Sequence, residues 1–301
     1  MNTESDASFT SGFVAVMGRP NVGKSTLINS LMGQKIAAVS PRPQTTRKRQ
    51  LGILTRKDTQ IIFVDTPGVH QPRHKLGESM NKQAREALEE SDIILFLVDA
   101  SQAPTAEDQL LINLIHGLTR KIPTILALNK TDLVGEETLE QNTQQFIEQL
   151  PGATPLQISA TRGDHLEELI ELIRMQLPLS GALYPVEQIT DLYERDIASD
   201  LIREAGLIHL RDEIPHGISV RIDEYTERGD QGAYIAATVF VERETHKPIV
   251  IGESGRMLKK IGSSARSEIE KMSGRKVFLQ LKVKVRKNWR NDEKVLRWFG
   301  Y

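Results

Sequence analysis

Cysteine is absent from the 301 residues. That excludes a disulfide framework, thiolate zinc sites and a cysteine nucleophile, and it fits a reducing cytoplasm. Long apolar runs are missing too. The longest, IILFLV at residues 93–98, is enough for one buried strand, whereas crossing a bilayer takes about 20 apolar residues. The first ten residues, MNTESDASFT, are polar and acidic and have neither the positive start nor the apolar stretch of a secretory signal. The chain is therefore expected to be soluble and cytoplasmic, with contact at a membrane surface left open. Internal repeats and low-complexity segments are also lacking. The seven histidines form no convincing cluster: His70 and His74 stand four apart, but Gln71 and Pro72 between them argue for a loop, and no third ligand is evident.

What is present belongs to an ordinary globular chain. Hydrophobic residues make up 39% and charged residues 26%, which fits neither disorder, nor collagen, nor a membrane bundle. The length exceeds what one core usually organises and predicts two domains. The net charge of −1 conceals a gradient: residues 1–190 carry 18 basic against 22 acidic side chains, and residues 191–301 carry 21 against 18. Residues 251–290 hold 12 basic and 3 acidic groups, the footprint of a polyanion site, although a solvated charged face is the plainer reading of any isolated lysine run.

Periodicity divides the chain in the same place. FVAVMG, IIFVDTPG, IILFLVDA and IPTILALNK read as apolar strands, separated by polar, helix-favouring stretches. Strands apolar on both faces and alternating with helices predict an α/β domain with a mostly parallel sheet covered on both sides, over residues 9–178. LPLSGALYP, with two prolines and a glycine, marks a linker at 179–190. Residues 191–301 then read as a smaller α+β domain: helix, two strands, helix, a glycine loop, helix, and a long strand, KVFLQLKVKVRK, that alternates apolar and basic side chains.

GRPNVGKS at residues 18–25 matches the phosphate-binding pattern of glycine, four residues, Gly-Lys-Ser, between a strand and a helix. Gly18 and Gly23 let backbone N–H groups turn toward phosphates at a helix start. Lys24 reaches the terminal phosphates, and Ser25 can ligate Mg²⁺. Arg19, Pro20, Asn21 and Val22 complete the loop and Thr26 follows it. DTPG (Asp65, Thr66, Pro67, Gly68) ends a strand, where an aspartate can hold the metal's water shell and a glycine N–H can sense the γ-phosphate. NKTD (Asn129 to Asp132) ends another strand, and SAT (Ser159, Ala160, Thr161) lies downstream. One carboxylate can accept both guanine donors, N1–H and the 2-amino group, which adenine does not offer. Each tetrapeptide alone could be an incidental loop, but four in order at strand ends could not.

This order resembles the translation-factor-related small GTPases. The resemblance implies GTP hydrolysis with Mg²⁺, guanine recognition by Asp132, ring contacts from Asn129 and Lys130, and an O6 contact at Ala160. It also implies a threonine in the polar loop SPRPQTTRKRQ (residues 40–50) that closes over the metal. By its place before the arginine, Thr46 resembles that residue better than Thr45 does. Lys24, Thr46, Gly68 and Asn21 are thus the candidate catalytic residues, with Ser25, Thr46 and Asp65 at the metal. One departure matters: the position after Gly68, often a water-orienting glutamine, is Val69, which cannot position water by hydrogen bonding. Members of the family with asparagine in the phosphate loop are linked to a potassium ion. Asn21 fits that pattern, and equally fits a turn-stabilising loop asparagine.

In the second half, IVIGESGRMLKKIG (residues 249–262) has Gly252 and Gly255 two residues apart, then a basic amphipathic helix. A lone GxxG is weak. The surrounding order and the local charge make it resemble a KH domain of the bacterial type, whose loop clamps about four single-stranded nucleotides. The candidate contacts are Ile251, Gly252, Glu253, Ser254, Gly255, Arg256, Met257, Lys259 and Lys260, with Glu253 an unfavourable acid in the loop. The whole pattern, down to the tail WRNDEKVLRWFGY, resembles the Era family of GTPases. That implies binding near the 3′ end of small-subunit ribosomal RNA and at the small subunit during its maturation, with no role for DNA, in the cytoplasm or at the inner face of the membrane. The competing reading is a regulatory GTPase whose C-terminal domain binds a protein or a membrane surface. A P-loop kinase is disfavoured by NKTD.

Overall fold

The computed structural model describes residues 9–40, 42, 45–68, 72, 74–228 and 232–301. They form two compact units. The first takes the described residues within 1–34, 46–71 and 80–191, and the second those within 35–45, 72–79 and 192–301.

The first unit is built on a six-stranded sheet in the order β2-β3-β1-β4-β5-β6. Its strands are β1 (Thr10–Met17), β2 (Gln50–Thr55), β3 (Thr59–Asp65), β4 (Ile93–Asp99), β5 (Thr124–Asn129) and β6 (Thr154–Gln157). All neighbours pair in parallel except β2 with β3. Strands β3, β4 and β5 are buried along their whole length, as strands covered on both faces must be. The helices are α1 (Lys24–Met32), α2 (Lys75–Glu90), which begins among residues grouped with the second unit, α3 (Ala106–His116), α4 (Glu136–Gln149) and α5 (Leu166–Arg174). Leu111 and Phe146 pack with Phe96, Leu126 and Leu128 in one apolar cluster. The segment read as a linker is laid along this unit: the Ile53 N–H donates to Ile189 O at 2.8 Å, and Gln60 Oε1 accepts the N–H groups of Leu183 and Tyr184 at 2.7 and 2.9 Å.

The second unit contains a three-stranded sheet, β7 (Ser219–Glu227), β8 (Ala233–Val241) and β9 (Val277–Val285). β7 and β8 are antiparallel, β8 and β9 parallel. Helices α6 (Glu194–His209), α7 (His246–Ile251), α8 (Arg256–Ser273) and the short α9 (Glu293–Trp298) accompany it. Ile261, Ala265 and Ile269 recur every fourth residue on α8 and meet Ile197 and Leu201 of α6 and Ile235 and Val239 of β8. The tail is anchored by Trp289, fully buried, whose Nε1–H donates to Gly217 O at 2.9 Å. Among the described residues no helix is long and apolar enough to cross a membrane.

Candidate nucleotide site and nucleic-acid interface

The chemistry-bearing residues of the first unit gather at the carboxyl ends of its parallel strands, where an open α/β sheet leaves a crevice. The glycine loop runs from β1 into α1, and no side chain caps the first turn of α1, so its N–H groups are open to an anion. Gly23 has φ +106°, and a Cβ there would lie 2.4 Å from Asn129 Nδ2. Only glycine lets the loop close on β5. Asn129 is in turn fixed on both sides: its Nδ2 donates to Val22 O at 2.7 Å and its Oδ1 accepts the Ala160 N–H at 2.9 Å. Asp132 Oδ1 accepts from Ser159 Oγ at 2.6 Å, and Ser30 Oγ donates to Ala160 O at 2.7 Å. Three of the four motifs thus form one hydrogen-bonded set, and DTPG joins it where Asp65 Oδ2 accepts from Ser25 Oγ at 3.3 Å. Thr161 is exposed, Pro67 is buried, and Thr66 Oγ1 donates to Val16 O at 2.9 Å. Pro20 lies against Gly68, where a Cβ would come 3.3 Å from its Cγ.

Lys24 is buried, with its ammonium donating to Gly18 O at 2.8 Å and Arg19 O at 3.0 Å. Burial pushes its pKa down to about 8, partly offset by Asp65 and reinforced by Arg19. Asp65 is pushed up, first by burial, against the pull of Lys24 and of hydrogen bonds from Thr46, Ser25 and Gln50. Both groups are thus biased toward neutrality.

Ser25, Thr46 and Asp65 converge. Ser25 Oγ lies 3.1 Å from Thr46 Oγ1, and Asp65 Oδ2 accepts from them at 3.3 and 3.0 Å. Thr45 is turned elsewhere, its Oγ1 donating to Arg42 O at 2.9 Å. Asp65 Oδ1 is buried with no hydrogen-bond partner among the described residues. A carboxylate and two hydroxyls with an orphaned oxygen form a hard donor set that suits Mg²⁺ shared with phosphate and water. Among the described residues no cluster of three His, Cys, Asp or Glu that could hold a metal is found. His70 lies outside the described residues, as does Val69.

Asn21 sits at φ +65°, a left-handed position that asparagine tolerates, so the turn role open in the sequence has a local basis. Asp99, which sequence reasoning did not single out, accepts from Lys130 Nζ at 2.6 Å and lies 3.8 Å from Arg19. Burial works against its charge, but bonds from Lys130 and Ser101 outweigh it and hold the carboxyl below the ordinary range. It ends β4 just as Asp65 ends β3 and Asn129 ends β5, a positional signal that could have found it.

In the second unit, α7 stops at Gly252 (φ +73°, ψ 169°), Ser254 and Gly255 follow at φ +52° and +78°, and α8 begins uncapped at Arg256. Glu253 and Arg256 form an exposed ion pair, so Arg256 is partly neutralised. Ile251 and Met257, named among the candidate RNA contacts, are partly buried against the core. Lys259 and Lys260 are exposed. From the loop a cleft of about 430 Å³ runs between α8 and β9, lined by Gly255, Lys259, Gly262, Arg266, Phe278 and Leu281 among others. Gly255 and Lys259 were read from the sequence. The rest of the α8 wall was missed, although 255, 259, 262 and 266 share a helical face.

Residues 13–130 match the family described as 50S ribosome-binding GTPase, and residues 213–290 match the KH domain. GTPase Era of Halothermothrix orenii is 45% identical over 294 residues, covering 98% of this chain and 99% of the relative. GTPase Era of Geobacter metallireducens is 45% identical over 298 residues, 99% of each. A crystal structure of Era with MgGDPNP and nucleotides 1506–1542 of 16S ribosomal RNA superposes with a TM-score of 0.92 at 39% identity, covering 97% of this chain and 99% of that one. A single-residue variant of Era of Aquifex aeolicus bound to GDP and AlF4⁻ gives 0.91 at 38% identity, with the same coverage. Full-length likeness at this identity, on a chain that carries both a nucleotide loop and a KH unit, shows that the protein belongs to the Era family of GTPases.

Proposed function

We propose that this GTPase is a switch that binds small-subunit ribosomal RNA and assists assembly of the small ribosomal subunit in the cytoplasm. The observation that carries the reading is the pairing, in one chain, of a guanine-type nucleotide site with a glycine loop that opens onto a basic cleft. The first family description names the large subunit. The full-length solved relative holds RNA of the small one, and it matches far more of this chain. The test is to crosslink the protein to cellular RNA and sequence what is bound: recovery of the 3′ end of small-subunit RNA is expected, and enrichment of other RNA or of none would overturn the assignment.

In this reading residues 9–178 form the GTP-binding domain and 191–301 the RNA-binding domain. Asp132 accepts from guanine, while Asn129, Lys130 and Ala160 position the ring. Lys24 and the loop N–H groups neutralise the terminal phosphates, and the Gly68 N–H meets the γ-phosphate. Ser25, Thr46 and, through water, Asp65 hold Mg²⁺. When bound, the metal neutralises phosphate oxygens during in-line transfer to water. The protein contributes positioning and charge, since in-line phosphoryl transfer to water leaves it little covalent chemistry to do.

The buried Lys24 makes a proton prediction. Without nucleotide its folded pKa of about 8 lies below the ordinary 10.5, so charging it costs about 3 kcal/mol of stability. That cost is fully present below pH 8 and fades as pH rises from 8 to 10.5. Phosphate restores the charge. Binding of GDP in EDTA, with the metal kept from Asp65, should take up protons above pH 8, and more at pH 8.5 than at pH 7. Calorimetry in buffers of different ionisation enthalpy reads this uptake, and no uptake at pH 8.5 would remove the buried-lysine account.

A potassium ion at Asn21 is the finer part of the proposal. Asn21→Gly keeps the left-handed backbone while deleting the amide, so it should lose potassium stimulation of hydrolysis and keep the sodium rate. Equal rates in sodium and potassium for the parent protein would dispose of the ion and leave the GTPase untouched.

A further inference from the structure

The cleft beside the 252–255 loop has a neighbour on the same face of the sheet. Next to it lies a second hollow of about 330 Å³, lined by Arg228, Tyr234, Arg266, Glu270, Lys276 and Phe278 among others. The two hollows share Arg266 and Phe278. Tyr234 and Phe278 are paired across β8 and β9, with rings 5.8 Å apart and only 16° from parallel. Phe278 is 66% exposed on a strand whose other outward residues, Gln280, Lys282 and Lys284, are polar.

A cross-strand aromatic pair could serve stability alone, but that role does not gather cations. Here the Arg228 guanidinium lies 5.3 Å from the centre of the Tyr234 ring, and Arg266 and Lys276 line the same hollow. None of the three makes an ion pair among the described residues. The single acid, Glu270, is engaged in structure, accepting the Val277 N–H at 2.9 Å where β9 begins. The Tyr234 hydroxyl donates to Gln280 Oε1 at 2.6 Å, which restrains its ring. A fixed aromatic surface ringed by cations, sharing Arg266 and Phe278 with the cleft, complements a single-stranded nucleotide: a π-face for the base and positive charge for the phosphate.

We propose that Tyr234 and Phe278 form a nucleobase-stacking platform that seats one further nucleotide of single-stranded RNA at the far end of the cleft, with Arg228, Arg266 and Lys276 on its phosphate. This rests on the RNA-binding reading above and extends it. Stacking is tolerant of base identity, so the platform lengthens the footprint without adding a letter to the sequence preference.

The test uses the full chain and an RNA of the small-subunit 3′ segment, nucleotides 1506–1542. Phe278→Ala, at an exposed position, should weaken binding about tenfold and shorten the nuclease footprint by one nucleotide at one end, with the salt dependence unchanged. Phe278→Tyr should retain parental affinity and footprint. Arg228→Gln, which touches only the second hollow, should flatten the log–log salt slope by about 0.7. If Gly252→Asp loses binding while Phe278→Ala keeps both affinity and footprint, the platform is refuted and the RNA-binding reading stands. If the parent protein itself does not bind the RNA, both fall together. If Phe278→Ala leaves RNA binding intact but abolishes capture of a protein partner, the surface belongs to that partner and the platform is refuted.

Discussion

Asp132→Asn is expected to lower GTP affinity by about thirtyfold to several hundredfold and to turn preference toward xanthosine triphosphate. Asp132 Oδ1 is already occupied by the Ser159 hydroxyl at 2.6 Å, which orients the carboxylate. Guanine's N1–H and 2-amino group then meet a carboxylate, and hydrogen bonds to such a group contribute about 1.5–3 kcal/mol each. An asparagine sets its NH2 against a guanine donor: one bond is lost and one buried donor stays unpaired. Xanthine replaces the 2-amino group by a carbonyl oxygen, which that NH2 can serve. Competition of GTP, XTP and ATP against a fluorescent nucleotide reads the change. ATP should not compete with either protein at comparable concentration, and unchanged GTP affinity in the variant would sink the assignment of residues 129–132. Asn129, pinned between Val22 and Ala160, should hold its place in the variant, so the loss reports the base edge and not a collapsed loop.

The legible parts of this protein were those where backbone geometry demands a residue type. GRPNVGKS announces itself because a phosphate cradle needs glycine at positions such as Gly23, where any Cβ would strike Asn129. The β3, β4 and β5 runs announce themselves because a strand covered on both faces is apolar throughout. β2 and β6 did not. They are the edges of the sheet; QLGILT mixes polar residues and a glycine into an antiparallel edge, and TPLQ is mostly exposed, so neither shows a clean period. Asp99 was passed over because its partner Lys130 is remote in sequence and near only in space. The cleft wall on α8 was half legible. Its charge gave it away, whereas Gly262 and the exposed Phe278 of β9 line the cleft through the placing of helix beside strand, which neither charge nor period announces. The convergence of Thr46 with Ser25 and Asp65, while Thr45 turns to Arg42, is likewise a fact of chain direction that the PQTTR string leaves open.

The second large effect is expected at Gly252. Its backbone, at φ +73° and ψ 169°, is one that side chains scarcely adopt, and a Cβ would lie 2.7 Å from Met257 Cβ and 2.8 Å from Met257 N. Gly252→Asp therefore does two things: it forces the start of α8 to shift, and it sets a carboxylate where phosphates would approach the N–H groups. Together these should cost about 2 kcal/mol or more, roughly thirtyfold in affinity for single-stranded RNA. Gly255→Asp separates the two causes, because no atom lies within 4 Å of a Cβ there although φ is +78°. Its loss should come chiefly from charge and should shrink at high salt. Glu253→Lys should act in the opposite sense. It adds a cation and releases Arg256 from its ion pair, steepening the log–log salt slope by about 0.7 for one new phosphate contact and about 1.4 if Arg256 joins it. GTP affinity should hardly move in any of the three, since the nucleotide residues belong to the other compact unit. Fluorescence polarisation at several salt concentrations, beside nucleotide binding on the same preparations, supplies both readings. A folded Gly252→Asp protein that binds RNA like the parent would mean that the glycine loop is not the clamp, and the basic cleft would then have to be assigned to a protein partner.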